Sequence, residues 1–297
     1  MPILKYALAA TTGLALMASA GTAHATAYAY GNINFTGLLL SGLNGPGVSI
    51  NSANVTTRDS AGFPGSSAAS NSVGPVNSGS PLTAGSDAPQ ATSGPGPFPG
   101  ENTYSQALLG SFGTRGDAQL VGNLLTGIGT GANDVAEGRI GNTGSASSTA
   151  GTSTGFNVVV TTGNTQTFTL SFNANDTVIA TTTAPGEIAS ASVSASFTVT
   201  GTAGTTFATQ IYSPDTLNVS GTSTGGSGNF NTTNPNNPSA PYTFSVTLSP
   251  GTYQFSLLSG AQEQVTVPAS VPTPEPASMA LLGAGLAAIG LVRRRRA

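Results

Sequence analysis

The chain has 297 residues, of which only 6% are charged, and a formal net charge of −3. It contains no cysteine, which excludes a disulfide framework and thiolate chemistry. Lys5 is its single lysine and His24 its single histidine, and four of the eight basic residues form the terminal run Arg293–Arg296. Between those ends three arginines (Arg58, Arg115, Arg139) stand against eleven acids, a formal charge of −8, so this part has no electrostatic footprint for nucleic acid or anionic lipid.

Lys5 supplies a positive n-region, Ala7–Ala18 an apolar h-region, and Ala23 and Ala25 flank His24 in an A-x-A cleavage pattern. This predicts a secretory signal peptide over 1–25 and a mature chain starting near Thr26. A first transmembrane helix is the competing reading, disfavoured by the short core and the small residues after it. Ile33–Leu40 then reads as a first strand, mixed alternation leading into a short buried run.

From about 44 to 100 the pattern collapses into Gly, Ser, Pro and Asn. That composition predicts loop or low-complexity chain burying too little apolar surface to offset its ordering, with room only for short edge strands near Val48–Ile50 and Asn54–Thr56. Leu120, Val121, Leu124 and Leu125 stand at helical spacing after Asp117, a possible N-cap, so Ala118–Leu125 reads as a short helix or a buried strand. Gly138–Gly155 and Thr222–Pro241 read as long loops.

Beyond Phe156 the alternation is clear. Val158 and Val160, then Phe168, Leu170 and Phe172, then Ala191 through Val199, then Phe244, Val246 and Leu248 each put apolar residues at every second position. Ser249-Pro250-Gly251-Thr252 suits a type II turn, with Tyr253, Phe255 and Leu257 on a return strand and Gln264–Val267 closing the sheet. These runs predict an all-β body over 26–267, an antiparallel β-sandwich or jelly roll with long Gly/Ser/Asn/Pro-rich loops. A parallel solenoid would need a fixed-period repeat, and the sequence shows none.

Residues 268–276 form a proline-rich linker in which Pro272, Pro274 and Pro276 fix φ and remove donors, leaving an extended segment that another protein can grip. Ala277–Val292 is free of charge and predicts a transmembrane helix of roughly 24 Å, a little short of the ~30 Å hydrocarbon core. Arg293, Arg294, Arg295 and Arg296 would hold the end of that helix, over 277–297, on the cytoplasmic side. A buried core helix would leave four consecutive arginines unexplained.

Pro274-Glu275-Pro276, a short apolar helix and a terminal arginine cluster, in that order, closely resemble the PEP-CTERM sorting signal of Gram-negative bacteria. The resemblance covers about the last 25 residues. It implies export by the secretion machinery, recognition of the tail by an exosortase, a transpeptidase-like enzyme of the inner membrane, and processing near Glu275. It also implies a transient or stable anchor in the inner membrane, then the cell surface or secretion. The same tail is also labelled the C-terminal domain of ice-binding proteins, which names the tail and not the body. Because PEP-CTERM proteins are associated with exopolysaccharide, that polymer is an implied partner, and serine- or threonine-linked sugars on the loops are a further expectation.

Without Cys, His or Lys in the mature body, Ser-His-Asp and Cys-His triads, Schiff-base lysines and thiolate or imidazole zinc sites are excluded, and no catalytic residue or cofactor is assigned. Two carboxylates flanking a sugar bond remain chemically possible. Asn173, Asn175 and Asp176 offer hard oxygen ligands for calcium at neighbouring positions, although the glycine and distal glutamate of an EF-hand are missing and a polar strand-end turn explains them as well. Asp117, Asp134 and Glu137 are acids that could also gather around an ion.

Arg115-Gly116-Asp117 matches an attachment triplet, but a turn accounts for it. Thr165, Thr167 and Thr169, and Thr198, Thr200 and Thr202, have the i, i+2 spacing of an ice-binding face, which any threonine-rich strand also shows. Asn34, Asn54, Asn175, Asn218 and Asn231 begin Asn-x-Ser/Thr sequons. The reading is therefore a non-enzymatic structural or adhesive protein of the cell surface or the exopolysaccharide matrix of a biofilm. A carbohydrate- or ice-binding module and a carboxylate-dependent hydrolase stand as alternatives.

Overall fold

In the computed structural model, residues 26–73, 85–124, 129–161, 163, 165–202, 205–225, 229–234 and 241–269 are described. The predicted signal peptide (with Ala23 and Ala25), the sorting motif and the predicted transmembrane helix lie outside them. The chain forms β1 (Ala27–Ser41), β2 (Val48–Gly62), β3 (Ala69–Val73), β4 (Ser86–Asp87), β5 (Ala91–Gly96), β6 (Phe112–Val121), β7 (Gly131–Ile140) and β8 (Gly144–Val160). It continues through β9 (Gln166–Thr182), β10 (Ile188–Gly201), β11 (Gln210–Tyr212), β12 (Val219–Thr224), β13 (Asn229–Asn234), β14 (Tyr242–Leu248) and β15 (Gly251–Val267).

These strands make two antiparallel sheets. The first has eight strands in the order β13-β9-β1-β7-β6-β4, with β14 also on β9 and β5 also on β6. The second has seven, in the order β11-β10-β15-β8-β2-β3, with β12 also on β10. The predicted all-β sandwich is the observed architecture, its inner faces meeting in one apolar core.

The core is graded along the strands. At one end Phe255 stacks on Phe156 and meets Phe168 edge-on, while Phe35 packs on Phe172. Toward the other end the inward positions of β8 become small, from Phe156 through Thr154, Thr152, Ala150 and Ser148 to Ala146, all of them buried. This grading explains the main corrections to the sequence reading. Among the described residues of 44–100, strand outweighs loop, because β2 runs through them with Val55, Thr57, Asp59 and Ala61 buried. Gly138–Gly155 is likewise strand, in β7 and β8, and Thr222–Pro241 contains the end of β12 and β13. In each stretch most inward side chains are small or polar, and the few large ones (Val55, Ile140, Phe230) are too isolated to mark an apolar alternation.

One expectation is narrowed and another changes. Ala118–Val121 is the end of β6, the buried strand of the two forms expected, with Ala118 and Leu120 facing the core. Ser249–Thr252 does not close a hairpin: β14 pairs with β9 in the first sheet, whereas β15 pairs with β8 and β10 in the second. The chain changes sheets at that corner, and Gly251 does not adopt the positive φ of a type II turn.

Candidate functional site

Alternation along β6 and β7 distributes polar chemistry to both faces of the first sheet. On the outer face the register sets Arg115 beside Glu137, and Glu137 beside Tyr30. The segment 97–111, between β5 and β6, straps across this face. Arg115 Nε donates to Glu137 Oε2 at 2.8 Å, with both side chains wholly buried. The other guanidinium nitrogens donate to the carbonyls of Thr103 and Ser105 on the strap.

Glu137 also accepts the Tyr28 hydroxyl at 2.8 Å and the Leu108 amide at 2.9 Å. Tyr28, Tyr30, Leu108, Val135 and Ile179 form a small apolar cluster around the pair, with Phe98 and Tyr104 of the strap against it. Burial raises the phenols of both Tyr28 and Tyr30, and the neighbouring Glu137 raises them further. The ion pair is thus a fully hydrogen-bonded staple between sheet and strap.

One outward position further along β6, Asp117 meets two acids from other segments. A carboxylate oxygen from each of Asp87 (on β4), Glu101 (on the strap) and Asp117 lies within 4.8 Å of the others. Asp117 Oδ2 accepts the Asn102 amide at 2.8 Å, and Asp87 Oδ2 accepts the side-chain amides of Asn102 at 3.0 Å and Gln119 at 3.1 Å. Glu101 Oε1 accepts the Gln90 amide at 2.7 Å. The Asp117 carboxyl is pushed up to about 6, by burial first and then by Glu101, with the Asn102 amide opposing the rise.

A second set of carboxyls lies between the sheets. Asp134 on β7 accepts the Ser259 hydroxyl and is raised to about 7 by burial. Glu263 on β15 accepts the Ser148 hydroxyl at 2.9 Å and is also raised by burial. Asp59 on β2 is only 2% exposed, and the Ala118 backbone amide is the one group that favours its charged form. Its burial, followed by the fields of Asp117 and Asp134, pushes it up to about 9.

The sequence-predicted residues are distributed differently from their expected groupings. Asn173 and Asn175 share one face of β9 while Asp176 is buried on the other, because neighbouring strand positions point in opposite directions. The three do not converge on one point. Asp134 faces the core and Glu137 faces outward, so the grouping of Asp117, Asp134 and Glu137 dissolves for the same reason. Arg115-Gly116-Asp117 is not a turn but the middle of β6, with both charged side chains fully buried and unavailable to a receptor.

Thr167 and Thr169 share hydrogen bonds with the hydroxyls of Thr247 and Ser245 on β14. The Asn218 side chain is consumed in bonds to Ala195, Ser213 and Pro214, whereas Asn54, Asn175 and Asn231 are exposed. Asp87 and Glu101 were the acids missed. Nothing in their sequence spacing joins them to Asp117, and only the pairing of β4 with β6 does so.

The outer face of the second sheet carries a different feature. The register aligns Ser220, Ser192, Gln262 and Thr149 in one row across four strands, and Thr222, Ser190, Gln264 and Ser147 in the next. These rows, with Ala191, Gly221 and Glu263 between them, line a trough of about 410 Å³.

The fold and these sites define a class: an acidic, two-sheet β body with carboxyls buried inside it and a polar trough on one outer face. The tail adds the particular. Residues 272–296 match the family model described as the PEP-CTERM protein-sorting motif. The chain carries that sorting signal, which marks an exported protein targeted to exosortase and sorted at the membrane. The match spans the tail alone and does not show the ice-binding label. No curated protein and no solved structure matches the chain. Among the described residues, no helix is long and apolar enough to cross a membrane.

Proposed function

We propose that this is an exosortase-processed protein of the cell surface or extracellular matrix, with a non-enzymatic structural or adhesive role linked to exopolysaccharide. The observation that carries this reading is the sorting motif at 272–296, which contains both Pro274-Glu275-Pro276 and the arginine cluster. The body supports it through a rigid sandwich whose charged groups are few and largely internal, leaving hydroxyl- and amide-rich outer rows to meet solvent and polymer. Cutting near Glu275 would remove four of the chain's eight basic residues and leave a strongly acidic body outside the membrane.

The test is the mature mass and location of the native protein beside Glu275→Ala. The wild type is expected as a shortened form released from the inner membrane, and the variant as a longer, membrane-retained form. Identical ends and identical location would overturn the sorting step. A second reading, a carbohydrate-binding module, draws on the trough over β8, β15, β10 and β12, whose hydroxyl and amide groups suit a polyhydroxyl chain. A glycan array separates the two: binding that is lost in Gln262→Leu/Gln264→Leu favours the module, and no binding favours the structural role.

A further inference from the structure

We infer that Asp87, Glu101 and Asp117 form a calcium site that ties the strap to the edge of the first sheet. Acidic side chains on a surface gather for many reasons, so the weight falls on Asp117. It is wholly buried, and its Oδ1 has no hydrogen-bond partner. A buried carboxylate with one unpaired oxygen, grouped with two more carboxylates, loses its hydration and gains repulsion, a costly arrangement unless a cation completes it. The neighbouring cation offsets this only in part, because Arg115 is already committed to Glu137 and the strap carbonyls.

The hydrogen bonds hold the three groups in a consistent way. Each carboxylate is anchored through one oxygen: Asp87 Oδ2 by Asn102 and Gln119, Glu101 Oε1 by Gln90, and Asp117 Oδ2 by Asn102. Each therefore keeps its second oxygen for a ligand. Oxygens within 4.8 Å of one another fit around an ion with Ca–O distances of about 2.3–2.6 Å. Three hard anionic ligands suit calcium, and solvent reaching the exposed Asp87 and Glu101 can supply the remainder of its six to eight ligands. The ligands come from β4, the strap and β6, so the ion would close that edge of the sheet.

The probe is Ca2+ added to the purified full chain after chelation, read by thermal unfolding and by terbium luminescence excited through tyrosine. Tyr104 donates its hydroxyl to Asn102 Oδ1, which places a sensitiser beside the site. We expect Ca2+ to raise the unfolding temperature with a dissociation constant on the order of 10⁻⁴–10⁻³ M, and equal Mg2+ to do much less. Because Asp117→Asn removes a buried group, Asp87→Asn and Glu101→Gln, at exposed positions, serve as the deciding variants. They should fold as the wild type does in chelator while losing the Ca2+ shift and the luminescence. No shift in the wild type, or an undiminished shift in both exposed variants, would overturn the site.

Discussion

Arg115 and Glu137 illustrate how a chain with few charges can still depend on them. Both are fully buried, and the pair joins the outer face of the first sheet to the strap through a closed set of hydrogen bonds. Removing one member leaves the other's buried charge without its counter-ion, which costs about 3–5 kcal/mol even though its other hydrogen bonds remain. Arg115→Met should lower stability by that amount in chemical denaturation, and the double variant Arg115→Met/Glu137→Leu should recover much of the loss. An Arg115→Met protein as stable as wild type would show that the strap does not rely on the pair.

The carboxyls between the sheets predict a direction of pH dependence. Asp59 and Asp134 are raised to about 9 and about 7, whereas an aspartate in the unfolded chain titrates near 3.9. The folded state therefore holds more protons across this interval, and stability must fall as pH rises through it. Below about pH 4 both states are protonated and the contribution is fully present; above about 9 it is lost. Melting temperature should decline from pH 5 to pH 9, and Asp59→Asn should flatten the upper part of that decline. A wild-type protein that gains stability over this range would contradict the assignment.

At the scale of elements, the two sheets approach most closely where the inward positions are smallest. A Cβ placed on Gly116 of β6 would stand 2.3 Å from the Thr149 carbonyl oxygen and 2.9 Å from that of Ser60, both fixed in the opposite sheet. Gly116→Ala must push β6 away from β8 and β2, at a cost of roughly 1–3 kcal/mol. The aromatic end tolerates the opposite change poorly. Phe255 on β15 meets Phe156, Phe168 and Phe197 across both sheets, and Phe255→Ala should cost about 3–5 kcal/mol. Denaturant midpoints of the two variants test these claims. Near-wild-type stability of Gly116→Ala would mean that the sheets separate freely at that end.

For the whole molecule, the sequence by itself determined the class, the charge and the address. Alternation in β9, β10, β14 and β15 required strands because their inward residues are Phe, Leu and Val at period two, a pattern no helix can bury. The sorting tail was legible because its parts act locally, in a fixed order along the chain. Much of β2 and the first half of β8 were illegible because Thr57, Asp59, Ser148 and Thr152 face inward, and alternation of small polar with small polar leaves no trace in hydropathy. Asp59 could not be assigned to the interior without knowing that β2 pairs with β8.

The acid triad was decided by tertiary structure alone. Asp87, Glu101 and Asp117 share no local motif, and they meet because β4 and the strap both return to the edge of β6. Local physics fixes the faces of a strand, whereas pairing between distant segments fixes which faces meet. The body's chemistry depends on that second choice.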